Sequence, residues 1–61
     1  MIRVLVEQQY TENKKYIEAA GLSTDSKPTT GIVTGSVFVE VNTGKAYLFD
    51  ETGDGTWNEV T

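Results

Sequence analysis

From residue 36 onward, apolar and polar side chains alternate along the chain. In GSVFVEVNTGKAYLFD (residues 35–50), Val37, Val39 and Val41 fall on one side of an extended strand and Phe38 and Glu40 on the other. After Asn42-Thr43-Gly44-Lys45, Tyr47 and Phe49 share one side and Ala46 and Leu48 the opposite side. A period of two is the mark of a strand. The four-residue link reads as a hairpin turn, with Gly44 where a positive φ is needed. A second turn, Glu51-Thr52-Gly53-Asp54-Gly55, leads to Thr56-Trp57-Asn58-Glu59-Val60. Residues 36–61 are therefore predicted to form a three-stranded antiparallel β-meander.

The first half of the chain is less regular. Ile2, Val4 and Val6 alternate with polar or larger neighbours and predict an N-terminal strand. Further on, Thr11 suits a helix N-cap, Glu12 the positive end of a helix, and Gly21 a C-terminal stop. Tyr16, Ile17 and Ala20 would then share one helical face, which predicts a short helix of two or three turns. Residues 22–35, LSTDSKPTTGIVTG, are turn-rich, and Pro28 biases Lys27 away from helix. A connection this long without regular structure is uncommon in a compact domain. It either contacts another chain or crosses the fold, pinned by Ile32 and Val33.

The fold class that follows is α+β or mainly β, in a single small domain spanning residues 1–61. Residues 1–21 hold the strand and short helix, 22–35 the long loop, and 36–61 the meander. Apolar side chains occur on both faces of the first two meander strands, and such a sheet is normally covered on both sides. The N-terminal strand and helix are expected to cover one face and a neighbouring subunit the other. Candidate interface residues are Val37, Phe38, Val39, Tyr47, Phe49, Trp57, Ile32 and Val33.

Composition narrows the chemistry. At 61 residues, the chain buries only roughly 60% of its unfolded surface, which leaves a marginal core. It contains neither cysteine nor histidine. Disulfides, thiolate metal sites and the commonest general base are thereby excluded. Tight packing or association must hold the fold together, and association is the favoured reading. The net charge of −4 argues against nucleic acid as a partner, because a basic patch supplies most of that affinity. No run approaches the ~20 apolar residues of a membrane span, so no membrane partner is expected. The N-terminal residues lack the long apolar core and small-residue cleavage site of a secretory signal.

Three chemical possibilities deserve weighing. Asp50, Thr52 and Asp54 occupy positions 1, 3 and 5 of a calcium-loop pattern, but position 12 is Thr61 and Glu59 stands at position 10. A plain acidic turn is the favoured reading, with a weak cation site bridging two subunits as the alternative. Glu40, Asp50 and Glu59 could suggest paired carboxylates, but no helping side chain accompanies them, so no catalytic residue, enzyme activity or cofactor is expected. Glu40 is expected to meet Lys45 or a neighbouring hydroxyl across the hairpin. Tyr47 and Trp57 could form a stacking platform for a sugar, although packing in a core or interface is the plainer role.

One pattern goes further. Gly35-Ser36, an apolar run with Glu40, Asn42-Thr43-Gly44-Lys45, Tyr47, Phe49-Asp50 and finally Trp57 resembles a module found in tailed-phage virion proteins. The upstream Leu22-Ser23-Thr24-Asp25-Ser26-Lys27-Pro28 is similar to the loop that precedes this hairpin in small phage and prophage proteins. The resemblance covers roughly residues 22–60. It implies a non-enzymatic virion structural protein, foremost a capsid decoration, cement or head-fibre component. Its partners would be other virion proteins, major capsid or tail subunits, and further copies of itself. Such a protein is made in the host cytoplasm and resides in the virion. Two alternatives remain: a tail-associated receptor- or glycan-binding module using Tyr47 and Trp57, and a small acidic inhibitor of a host protein.

Overall fold

In the computed structural model, residues 1–53 and 55–60 are described, and they fold into one five-stranded mixed sheet. The strands are β1 (Arg3–Gln9), β2 (Lys15–Gly21), β3 (Val37–Glu40), β4 (Lys45–Asp50) and β5 (Thr56–Glu59). They lie side by side in chain order, antiparallel throughout except for the parallel pair β2–β3. The fold is all-β, and among the described residues there is no helix.

The expected helix is β2. Ile17, Ala19 and Gly21 are buried at every second position, which is the strand period. Thr11 caps no helix. It sits in the tight link between β1 and β2, where the Tyr10 and Thr11 amides both donate to the Lys14 carbonyl. Gly21 is small for packing reasons: a Cβ there would lie 2.8 Å from Cζ of Phe38. Tyr16, Ile17 and Ala20 fit a helical face as well as a strand, and cross-strand pairing decided between them.

The expected three-stranded meander is likewise no separate unit. β3, β4 and β5 are the last three strands of the larger sheet, with Phe38 opposite Tyr47 and Phe49 opposite Trp57. β1 and β2 lie in the plane of that sheet and cover neither face. The covering element is the connection over residues 22–36. Parallel neighbours require a crossover of a dozen or more residues, and β2 and β3 are parallel. The long loop therefore passes over one face of the sheet as a strap. Ile32 and Val33 pin it, both buried, with Ile32 bridged to Lys15.

The core lies between strap and sheet. It joins Ile17, Ala19, Ile32, Phe38 and Phe49, flanked by Ile2, Tyr47 and Trp57. The Trp57 ring meets Phe49 at 4.9 Å and Phe38 at 5.9 Å between centroids, both inclined. Inclined arrangements of this kind suit the aromatic quadrupoles.

Candidate interaction surface

The strapped face is satisfied within the chain. The indole N–H of Trp57 donates to the Pro28 carbonyl at 2.8 Å, which fastens the middle of the strap. Lys27 reaches from the strap to Glu40 at 2.7 Å, its ammonium 4.9 Å from the Phe38 ring centroid and 4.6 Å from that of Tyr47. Such placement over two ring faces adds cation–π attraction to the ion pair. Glu40 also accepts from the Thr43 hydroxyl. Lys27 and then Thr43 hold the Glu40 carboxyl below its ordinary range. Lys45, though opposite Glu40 in register, extends to Glu59 instead. Of the two expected partners for Glu40, the neighbouring hydroxyl is present and Lys45 is replaced by Lys27.

Carboxylates also hold the strap at its ends. Asp25 accepts from the Met1 ammonium and from the Leu22 amide, and both lower its pKa. At the far end, Glu51 accepts from Lys14 at 2.7 Å and from the Thr34 amide at 2.8 Å, while its own amide donates to the Thr34 hydroxyl. Lys14 and then Thr34 bring the Glu51 pKa down to about 2.

Among the described residues, no segment covers the opposite face in this way. Register places Val6, Glu18, Val37, Leu48 and Asn58 in one row across the sheet. Arg3, Ala20, Val39 and Ala46 form the next row, and Val60 continues it by donating its amide to the Ala46 carbonyl. Val39 is 37% exposed and Leu48 41%, although both lie in the middle of a sheet. Val6 and Val60 are more open still. The result is a contiguous apolar patch with Tyr16, Gln8, Thr56 and Asn58 towards its margins.

The candidate interface residues therefore divide. Phe38, Phe49, Ile32 and Val33 belong to the chain's own core. Tyr47 and Trp57 pack against that core, and their rings are engaged by Lys27, Phe38 and Phe49. Lys27 thus lies over one face of the Tyr47 ring, and Trp57 is inclined against Phe49 and Phe38. Val37 and Val39 alone lie on the open face. Ala20, Ala46, Leu48, Val6 and Val60 join them there. The period of two in residues 37–48 signalled Leu48 and Ala46; a helical reading of residues 11–21 hid Ala20.

At the acidic turn, Asp50 accepts from the amide and the hydroxyl of Thr52, which lowers its pKa. Asp54 lies outside the described residues. Among the described residues, no three acidic side chains gather closely enough to hold a metal ion. A cavity of about 260 Å³ opens beside this turn, lined by Thr29, Thr30, Gly31, Phe49 and Gly55, with the Lys14–Glu51 pair at its rim. A carboxylate held near pKa 2 is a poor general base at neutral pH. The chain matches no known protein family, no curated protein and no solved structure.

Proposed function

We propose that this chain is a non-enzymatic structural subunit that binds other protein subunits through the open face of its sheet. The observation that carries this reading is the uncovered patch of Val37, Val39, Leu48, Ala20 and Ala46 in the middle of the sheet. Large apolar surfaces rimmed by polar side chains mark interaction sites, and the open strand residues here support a protein-binding reading. The resemblance of residues 22–60 to tailed-phage modules supports a virion as that assembly. Capsid decoration, cement or head fibre is the first role, with further copies of the chain and major capsid or tail subunits as partners. The protein would be made in the host cytoplasm and end in the particle.

Mass spectrometry of purified virions from the phage or prophage that encodes the chain tests the reading. Its peptides are expected at a stoichiometry comparable to other structural proteins. A Leu48→Lys variant should fold yet fail to enter the particle. Absence of the chain from purified particles would overturn the virion role.

A further inference from the structure

Every lysine is consumed within the chain: Lys14 pairs with Glu51, Lys15 with Glu7, Lys27 with Glu40 and Lys45 with Glu59. Arg3 is the exception. Among the described residues it has no acidic partner, and it stands at the end of an apolar row on the open face. Glu18 lies on the same face of the neighbouring strand, opposite Val6 where Arg3 is opposite Ala20. One Glu18 oxygen accepts from the Tyr16 hydroxyl, and among the described residues no hydrogen bond engages the other. Among the described residues, the open face thus presents Arg3 without an acidic partner and Glu18 with one oxygen bonded as diagonal neighbours, next to a neutral apolar centre.

We infer that the occupant of this face is a second copy of the same chain, packed face to face about a two-fold axis. The inference rests on the reading of the open face as an interface and names its partner. A two-fold contact must be self-complementary, so a residue that meets another is met by it in return. Arg3 of each copy would pair with Glu18 of the other, while Val37, Val39 and Leu48 of the two copies interdigitate. Charge does not oppose this. Beyond Arg3 and Glu18, the strand residues on this face include only one charge, Asp50 at one end, and the rest of the acidity lies elsewhere. Size agrees as well. The molecule measures 33 × 23 × 17 Å, so its broad side has room for an interface of the roughly 800 Å² per partner that stable complexes bury. The product is a two-layer β-sandwich whose inner faces are the open ones and whose outer faces carry the straps.

Sedimentation of the full chain from about 1 μM to about 1 mM tests the inference. A two-chain mass is expected within that range. Val39→Glu should weaken association at least about thirtyfold and leave the backbone amide spectrum of the fold unchanged. Arg3→Glu should weaken it about fivefold, and adding Glu18→Arg to that variant should restore it. The charge-swap series decides the matter should Val39→Glu fail to fold. A monomer at every concentration, or a dimer indifferent to both the Val39 and the charge variants, would overturn the inference. A chain that is monomeric yet present in virions refutes the dimer and leaves the virion role standing; a dimer absent from virions does the reverse.

Discussion

The two faces of this sheet are built from the same short strands, yet they end in opposite conditions. Phe38 and Val39 are consecutive residues of β3. Phe38 is sealed from solvent, whereas Val39 is more than a third exposed. Nothing in their own hydrophobicity separates them. The parallel pairing of β2 and β3 does, because it sends residues 22–36 over one face and leaves the other to whatever lies outside the chain. The described residues supply one strap, and it covers one face of the five-stranded sheet. On the reading proposed above, burial of the second face comes from another polypeptide.

The sharpest break in this comparison comes from truncating a core ring. Phe38→Ala should cost about 3–5 kcal/mol, comparable to the whole stability of a domain this small. Denaturant melts are expected to show a chain largely unfolded in buffer. A modest loss would mean that the strapped face is not the core.

Acid should act next, and on the strapped side. The carboxyls of Asp25, Glu40 and Glu51, all tied to the strap, are shifted below their ordinary values. An unfolded chain binds protons more readily at these groups than the folded one does. Their stabilisation is therefore complete above the unfolded value and lost as pH falls through the folded one. For Glu51 the window runs from 4.5 down to about 2. Thermal melts should show Tm falling progressively through that range, and Glu51→Gln should flatten part of the decline. A Tm constant from pH 5 to pH 2 would contradict the strap attachments.

Smaller effects sharpen the contrast. Trp57→Phe keeps an aromatic ring but leaves the Pro28 carbonyl without its donor, for a loss of about 1 kcal/mol in chemical denaturation. Gly44→Ala forces a side chain into φ +75° at the β3–β4 turn and should cost about 1 kcal/mol. On the open face, Leu48→Thr retains strand preference and should change the stability of the dilute monomer by less than about 0.5 kcal/mol. The same change should weaken self-association. If Leu48→Thr cost the monomer as much as Phe38→Ala, the two faces would not differ as described.

The alternation of residues 37–49 and their hairpin were legible because the period of two is strict and Asn42-Thr43-Gly44-Lys45 makes a compact turn. Sequence alone set Val37 and Val39 opposite Phe38 and Glu40 within one strand, and Tyr47 and Phe49 opposite Ala46 and Leu48 within the next; the register then joins Phe38 with Tyr47 on one face and Val39 with Ala46 on the other. The sequence also allowed that Ile32 and Val33 pin a crossing loop. Residues 15–21 were not legible. Their alanines favour helix intrinsically, seven residues are too few to separate the two periods, and Gly21 imitates a helix stop. Only the ladders to β1 and β3, and the ring of Phe38 against Gly21, make this segment a strand.

Local pattern thus determined which side chains travel together along each strand, since that depends on backbone geometry two residues at a time. Tertiary structure decided which of the two groups would be covered. That choice depends on the path of the 22–36 crossover between parallel strands, and such a path is set by contacts between residues far apart in the chain, not by the order of neighbours within it.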